Sequence, residues 1–285
     1  MALRLSALNR FPVKSCRGEP LEHAVVEPWG LRGDRRWMVV DERGDAITAR
    51  EVHRMLLVRP GLAEGGLCLS APDVPPLSVR TPDGSTLVRV AIFGTPVDAS
   101  PAGAEADAWF SKVLGATARL VYLDDPTRRP TNPERTRPDD RVSFADGYPL
   151  LLATEESLTA LNDFIAEGPL ADEGPLPMIR FRPSVVVRGA PAWSEDGWRR
   201  IRIGAAEFRA VKGCDRCVIT TLDPDTAASG KEPIATLSRH RRWDGKTWFG
   251  VNLVPDLGRG DVVPIDVGDE VEVLAAADPS DGPLR

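Results

Sequence analysis

Hydrophobic residues in this chain fall into short runs, rich in β-branched side chains and bounded by Gly, Pro, Asp or Asn. Such runs predict strands, here RRWMVVD (35–41), RMLLVR (54–59), ARLVYL (118–123), SVVVR (184–188), CVITTL (217–222) and DEVEVL (269–274). Most of them follow one another too closely for a crossover helix between each pair. The pattern therefore predicts mixed or antiparallel barrels, in a mainly β fold with a few helices (α+β), rather than a doubly wound sheet.

Helical periodicity is confined to three segments. In 104–115 (AEADAWFSKVLG), the apolar positions lie on one face of a helix. The clearest helix is 154–165 (TEESLTALNDFI), where Thr154 can cap the first turn and the leucines and isoleucine form one stripe. A third, short helix fits 231–240 (KEPIATLSRH), with Pro233 in its first turn.

Two turn-rich segments, 123–140 and 166–177, interrupt these patterns. The first follows the first predicted helix and separates two β-rich parts of the chain. We therefore predict one domain over 1–122, a second over 123–275, and a flexible tail over 276–285.

Composition narrows the class of protein. Apolar residues make up 42% of the 285 and charged residues 27%, which is ordinary for a soluble globular protein. No apolar run approaches the roughly 18 residues of a membrane span, and the N-terminus has no signal-peptide core, so we expect a cytoplasmic protein without a membrane partner. Four cysteines are too few for a disulfide scaffold. A net charge of −6 gives no overall attraction to nucleic acid, which we do not expect as a partner.

One local cluster of positive charge stands against this acidic background. It is TRRPTNPERTRPDDR (127–141), with five arginines. The simplest interpretation is a solvated loop whose arginines pair with Glu134, Asp139 and Asp140.

Cys214 and Cys217 lie three residues apart in VKGCDRCVIT (211–220). A structural zinc site needs two further ligands, and the remaining candidates are isolated from one another: Cys16, Cys68, His23, His53 and His240. A thioredoxin-like dithiol needs a helix N-terminus, whereas both flanks here favour strand. A Cys–His nucleophile with His240 or His53 as base has no supporting motif.

The remaining interpretation is a single thiolate that binds a soft metal whose other ligands come from a cofactor. Arg216 and Lys212 would favour the ionised sulfur. We interpret Cys214 as a small buried hydrophobic residue.

Several blocks resemble a known family. GCDRCVITTLDPDT (213–226), KEPIATLSRHR (231–241), FGVNLV (249–254) and VGDEVEVL (267–274) resemble the C-terminal half of MOSC-domain proteins. FPVKSCRGEP (11–20) and GLRGDRRWMVVDERGDAITAR (30–50) resemble the β-barrel N-terminal domain that accompanies MOSC. Together, over about residues 5–275, they look like the amidoxime-reducing branch of the family. The resemblance implies a MOSC β-barrel plus a β-rich N-terminal MOSC-associated domain.

The resemblance also implies a molybdenum–molybdopterin (Mo-pyranopterin) cofactor. Its metal ligand and catalytic thiolate would be Cys217. The positions matching cofactor-binding residues are Lys14, Ser15, Arg35, Asp146, Gly147, Tyr148, Arg182, Ser184, Asp215, Arg216 and Asn252. Arginine and lysine suit a phosphate, and a thiolate suits a soft redox-active metal. Ser184 stands in FRPS where eukaryotic relatives read FRPN, which departs from the family pattern.

The implied activity is reduction of N-hydroxylated compounds: amidoximes, hydroxylamines and N-hydroxylated bases. Electrons would come from a separate flavoprotein, ferredoxin or cytochrome, since the chain has neither cluster-forming cysteine spacings nor a Gly-x-Gly-x-x-Gly fingerprint. The alternative is a molybdenum-cofactor binding or carrier module, related to sulfurases whose pyridoxal-phosphate domain has no counterpart here. A third possibility is the same fold with an empty or zinc-filled pocket.

Overall fold

Strands make up most of the regular structure. The computed structural model describes residues 2–278 and 282–285. Within them, the strands are β1 (Arg4–Arg10), β2 (Glu19–Leu21), β3 (His23–Glu27), β4 (Gly30–Leu31), β5 (Trp37–Val40), β6 (Arg59–Ala63), β7 (Gly66–Ala71), β8 (Val74–Arg80), β9 (Val88–Ile92), β10 (Thr95–Pro101), β11 (Arg119–Tyr122), β12 (Leu150–Thr154), β13 (Val185–Arg188), β14 (Trp198–Ile203), β15 (Ala206–Asp215), β16 (Arg242–Trp243), β17 (Lys246–Pro255), β18 (Val263–Asp266) and β19 (Val271–Ala276).

The helices are α1 (Ala104–Leu114), α2 (Glu155–Ala166) and α3 (Ile234–His240). All three lie where the sequence predicts them, and the mainly β fold with a few helices is confirmed. Thr154 caps α2, because its hydroxyl accepts a hydrogen bond from the Ser157 amide at 3.2 Å. Pro233 directly precedes α3 rather than lying inside its first turn. None of the described helices combines the length and hydropathy needed to cross a membrane.

Two predicted strands are wrong. Residues 54–59 and 217–222 fall mainly in short 3₁₀ helices, His53–Leu57 and Val218–Thr221. In the second, the hydroxyls of Thr220 and Thr221 donate to carbonyls three residues earlier, at 3.0 and 2.8 Å. These local bonds compete with a strand ladder, so β-branched composition alone misleads here.

The largest sheet has nine strands in the order β19-β14-β15-β17-β12-β13-β1-β2, with β16 paired to β17. This strand order is an open path rather than the closed barrel that the sequence predicted. A bridge between Arg4 and Glu270 links β1 to the residue before β19, and the Leu5 amide donates to the Asp269 carbonyl at 2.9 Å. The sheet curls enough for these segments to meet without forming a continuous ladder.

The two predicted domains share this sheet. β1, from the first half, pairs antiparallel with β13 from the second, with Leu8 opposite Val185. β3 likewise pairs with β18. The smaller sheets, β5-β11-β10-β9 and β6-β7-β8, belong to the first half alone. The boundary at 122/123 stays a prediction, and the strand pairing ties both halves to one scaffold.

A buried polar cluster lies behind α2. Glu195 accepts hydrogen bonds from Ser157 and Thr154 at 2.9 and 3.2 Å through one oxygen, while its other oxygen has no partner among the described residues. Its neighbour Asp196 accepts from Arg241. Burial, partly offset by the Ser157 hydrogen bond, raises the pKa of Glu195 to about 7.

The predicted tail, 276–285, includes residues 279–281, which lie outside the described part. At the described end of the chain, Gly282 and Pro283 are buried. The Gly213 amide donates to the Leu284 carbonyl at 2.6 Å. This end of the chain therefore packs beside the strand that leads to the cysteine pair.

Candidate functional site

A solvent-open cleft of about 830 Å³ lies where loops from the two halves meet. It is lined by eleven of the twelve residues predicted for the site, namely Lys14, Ser15, Arg35, Asp146, Gly147, Tyr148, Arg182, Asp215, Arg216, Cys217 and Asn252. Its lining includes five cationic side chains, counting Arg50, against two carboxylates. The cleft thus reverses the sign of the acidic chain and suits an anionic ligand.

The floor of the cleft is built by the loop between β4 and β5. The buried Asp34 carboxylate accepts from the Phe11 amide at 2.7 Å, and the Arg35 amide donates to the Phe11 carbonyl at 2.8 Å. The Phe144 amide then donates to the Arg35 carbonyl at 2.8 Å. Arg35 is therefore held between the segment after β1 and the turn that carries Asp146.

Asp146 organises the cations on one wall. Its two oxygens accept separately from Lys14 and from Arg50, the latter at 2.5 Å. Lys14 is buried and also donates to the Phe144 carbonyl at 2.9 Å, while Arg129 holds the turn from behind through the Ala145 and Asp146 carbonyls. Desolvation would raise the pKa of Asp146, but the charges of Lys14 and Arg50 outweigh it and hold that pKa well below its usual range.

Arg182 is a cation without an acceptor. Its guanidinium lies 4.3 Å from the centroid of the Phe11 ring, on which Arg35 also rests at 4.3 Å. No hydrogen bond or ion pair links this guanidinium to another group in residues 2–278 or 282–285. Desolvation and the nearby Arg35 charge lower the pKa of Arg182 to about 10, which still leaves it charged at neutral pH. An unpaired, desolvated guanidinium of this kind favours binding of an anion such as a phosphate.

Three of these residues have left-handed backbone. The φ angles are 65° at Ser15, 46° at Arg35 and 57° at Arg182. A non-glycine residue in this region costs on the order of 1–3 kcal/mol, and such residues concentrate at binding sites. The fold thus accepts strain at three positions to aim side chains into one cleft.

Cys217 also lines the cleft and directly precedes the 3₁₀ helix Val218–Thr221. Its sulfur accepts from Arg50 Nε at 3.4 Å. The sequence predicted Arg216 and Lys212 as the charge partners of this sulfur, and that assignment is wrong. Arg216 donates instead to Cys214 Sγ at 2.8 Å and to the Phe181 carbonyl at 2.7 Å, and Lys212 pairs with Asp215 at 2.6 Å.

Cys214 also lines the cleft, so its interpretation as a buried hydrophobic residue is incomplete. Desolvation raises the pKa of the Cys214 thiol despite the adjacent Arg216. On β17, Asn252 donates to the Gly213 carbonyl at 3.1 Å and so fixes the end of β15, which contains Cys214 and leads to Cys217.

Comparison with known proteins follows the same division of the chain. Residues 2–117 match the MOSC N-terminal beta barrel domain, and residues 139–272 match the MOSC domain. Human mitochondrial amidoxime-reducing component 1 is 32% identical over 280 residues, covering 93% of this chain and 81% of the human protein. The chain belongs to the MOSC-domain family.

Two further matches are more distant in extent or identity. A molybdenum cofactor sulfurase of Oryza sativa subsp. japonica is 30% identical over 266 residues, which cover 88% of this chain but 32% of the sulfurase. The crystal structure of the YUAD protein from Bacillus subtilis aligns over 95% of this chain and 94% of that protein, with a TM-score of 0.39 and 10% identity. The sulfurase match therefore spans most of this chain but about a third of that longer protein.

Ser184 is the predicted site residue that does not reach the cleft. It is fully buried at the start of β13, where its amide donates to the Leu151 carbonyl at 2.8 Å and its hydroxyl faces the Leu151 amide at 3.5 Å. In this MOSC protein the serine therefore supports the sheet behind the cleft rather than its lining.

Sequence reasoning missed Arg50 and Arg129. Arg50 is the last letter of the MOSC-like block GLRGDRRWMVVDERGDAITAR, which was the available signal. Arg129 was assigned to a solvated loop, yet it is buried against the carbonyls of Ser143 and Ala145. None of the ion pairs found for the arginines of 127–141 involves Glu134, Asp139 or Asp140 within the described residues; Arg128 pairs with Asp124 and Arg137 with Asp256.

The described residues of this MOSC protein do not support the zinc interpretation. Across residues 2–278 and 282–285, no group of three or more His, Cys, Asp or Glu side chains is arranged to hold a metal ion. Cys16 is fully buried, and burial raises its thiol pKa to about 12. Cys68 is exposed on β7, away from the cleft lining.

Proposed function

We propose that this MOSC protein is a molybdenum-cofactor-dependent reductase of N-hydroxylated compounds, namely amidoximes, hydroxylamines and N-hydroxylated bases. The observation that carries the proposal is the Cys217 thiol on the wall of a cleft with five cations. The similarity to proteins named amidoxime-reducing components supports the same reading. The proposal includes an external flavoprotein, ferredoxin or cytochrome as electron donor, and a cytoplasmic setting.

The residues of the cleft fit such a cofactor. Arg182 has no acceptor among the described residues and lies beside Arg35 on the Phe11 ring. Two neighbouring guanidinium groups suit a phosphate or an electron-rich pterin. Lys14 and Ser15, a few residues after Phe11, add a point charge and a hydroxyl to the cleft lining. Cys217 supplies the one thiolate that a soft metal needs from the protein.

A bound cofactor would supply the two-electron redox chemistry needed to reduce the N–O bond. Overall, the N-hydroxylated compound consumes two electrons and two protons, and the products are the reduced nitrogen compound and water. The electrons must come from the external donor, and the protons from solvent or from the cleft.

The chain's own residues orient the Cys217 sulfur, the cations of the cleft and a bound ligand. Arg50 donates a hydrogen bond to the Cys217 sulfur and so orients it in the cleft. Asp146 keeps its negative charge at neutral pH, so it aligns Lys14 and Arg50 rather than acting as an acid. Burial raises the pKa of Tyr148, so its phenol remains protonated and can donate a hydrogen bond to a bound ligand.

A second candidate function is cofactor binding or carriage without turnover. The similarity to a molybdenum cofactor sulfurase favours it. A carrier uses the same cations and the same thiol, but it must release the cofactor to an acceptor enzyme.

The deciding experiment is production of the protein in a host that makes the cofactor, followed by metal and pterin analysis and by assay with benzamidoxime. Reduced methyl viologen serves as the electron donor. We expect about one molybdenum per chain, turnover by the wild type, and loss of turnover in Cys217→Ala. Cys68→Ala, which alters an exposed thiol outside the cleft lining, is the matched control.

Molybdenum-loaded protein that transfers its cofactor to an apo-enzyme and reduces nothing would establish the carrier. Undiminished benzamidoxime reduction by Cys217→Ala would refute the role of the thiolate. Protein without molybdenum or pterin from a competent host would end both candidates.

A further inference from the structure

Phe93 is an exposed aromatic residue beside the cleft. It lies at the tip of the β9–β10 hairpin, between Ile92 and Thr95, which pair across the turn. Its side chain is 56% exposed, so the hydrophobic core gains little from it. A single exposed hydrophobic side chain is ordinary on a protein surface, so a role for Phe93 has to come from its turn and its neighbours.

The turn itself is a poor place for phenylalanine. Both central residues have positive φ, 49° at Phe93 and 80° at Gly94, as in the two-residue turns that favour Asn-Gly. A bulky residue at the first position is disfavoured, because its Cβ crowds the backbone. The chain thus keeps a large aromatic ring where folding alone favours a small polar residue, which points to a use for the ring.

The ring faces two cations of the site. Lys14 Nζ lies 5.1 Å and Arg50 Cζ 4.7 Å from its centroid. Arg50 in turn donates to Cys217 Sγ, so one side chain spans the distance between ring and sulfur. On the sulfur side, Val218 is 45% exposed and adds a second apolar surface.

The hairpin position is not arbitrary. The Ala91 amide donates to the Gly44 carbonyl at 2.9 Å, and the Ala46 amide donates to the Ala91 carbonyl at 3.0 Å. The loop so attached leads directly to Thr48 and Arg50, both of which line the cleft. The ring and Arg50 are therefore positioned by one hydrogen-bonded unit, while Lys14 comes from the segment after β1.

We propose that Phe93 is a specificity-determining residue that stacks flat, conjugated N-hydroxylated substrates at the mouth of the cleft. The inference rests on the proposed reductase function and narrows its substrate class to planar amidoximes and N-hydroxylated bases, over compact aliphatic hydroxylamines. A planar conjugated substrate can stack on the face of the Phe93 ring, whereas a small sp³ compound has no flat surface to stack.

The test compares KM values for benzamidoxime and N-methylhydroxylamine, with reduced methyl viologen as donor so that no protein partner is needed. Phe93→Asn suits the turn, so the variant folds at least as well as the wild type. We expect its KM for benzamidoxime to rise about 5- to 10-fold and its KM for N-methylhydroxylamine to stay within about twofold. Phe93→Trp keeps the KM for benzamidoxime near the wild-type value. Leu87→Asn, at another exposed hydrophobic position, leaves the KM values for both substrates unchanged.

A second readout is independent of turnover. Calorimetric binding of benzamidine, the planar product, weakens in Phe93→Asn and recovers in Phe93→Trp. Equal KM changes for both substrates, or none for either, would overturn the role of Phe93 while leaving the reductase intact. A defect seen only with a protein donor would assign the ring to partner docking instead. Molybdenum-loaded wild-type protein that reduces neither compound would remove the proposed function, and this inference with it.

Discussion

Arg50 Nε lies 3.4 Å from Cys217 Sγ, although the two residues are 167 positions apart in the chain. The other end of the same guanidinium binds Asp146 at 2.5 Å. Desolvation acts to lower the pKa of Arg50, but Asp146 and the sulfur raise it, so the side chain stays charged. Arg50 therefore links the Cys217 sulfur to the Asp146 carboxylate.

Replacing Arg50 by Gln should slow turnover without emptying the site. A hydrogen bond to a charged group contributes about 1.5–3 kcal/mol, which predicts a fall in kcat of roughly 10- to 100-fold. Arg54→Gln, an exposed change in the following turn, is the control and should be silent. Steady-state rates and molybdenum content measured together check this; a full loss of molybdenum would mean that Arg50 binds the cofactor instead.

Unlike Arg50→Gln, Arg182→Gln should lower the cofactor content of the protein. This guanidinium has no acceptor in the described part of the chain, so its removal should reduce bound pterin and molybdenum at least about 10-fold. The apo protein should melt at the same or a higher temperature, because a desolvated unpaired charge disappears. The neighbouring Arg180→Gln, which loses a 3.3 Å pair with Asp223, should retain its cofactor. Equal cofactor content in both variants contradicts the assignment.

Asp146→Asn should destabilise the fold in a pH-dependent way. The folded-state pKa of Asp146 is depressed, so its contribution is present above the unfolded pKa and lost as pH falls through the folded value. Denaturant unfolding of apo protein should show a deficit of about 1–3 kcal/mol at pH 7, moderated by solvent at this partly wet pair. The deficit should shrink between about pH 5 and pH 2. Asp139→Asn, at an exposed position, should change neither the unfolding free energy at pH 7 nor its pH dependence. If the loss of unfolding free energy in Asp146→Asn were independent of pH, it would argue against the ion pairs of Asp146 with Lys14 and Arg50.

Glu195→Gln should stabilise the protein at high pH. The pKa of Glu195 is raised from 4.5 to about 7, so the folded state binds the extra proton, and stability falls as pH rises through that window. The amide removes this decline while keeping the Ser157 and Thr154 contacts. Melting temperatures should therefore exceed the wild type at pH 8 and approach it at pH 5. Glu167→Gln, at an exposed position, is the control for replacing a glutamate by glutamine. A melting temperature of Glu195→Gln below that of the wild type at pH 8 would contradict the prediction.

The elements that the sequence predicted correctly depend on local signals. α2 has a capping threonine, acidic residues in its first turn and a single apolar stripe, and tertiary contacts merely agree with these. The runs at 54–59 and 217–222 offered only apolar and β-branched composition, which also suits a short buried turn. At 217–222, the local hydrogen bonds of Thr220 and Thr221 to carbonyls three residues earlier take the place of a strand ladder.

The same distinction applies to the site. Most of the lining was identified because family resemblance marks individual positions. Arg50 went unassigned because its role depends on a contact across the cleft. The pairing of Arg216 with Cys214 rather than Cys217 depends on the conformation of the chain just after β15, a detail that spacing does not encode.

The placement of β1 beside β13 has a consequence for how such genes can be rearranged. Excising 139–272 as an independent unit would remove β1 and leave β13 with bare backbone amides and carbonyls on one side, open to pairing with other molecules. The excised piece would also leave four basic groups, Lys14, Arg35, Arg50 and Arg129, behind. Recombination should therefore transmit both halves as one heritable block, with added modules tolerated at surface loops that this ladder does not cross.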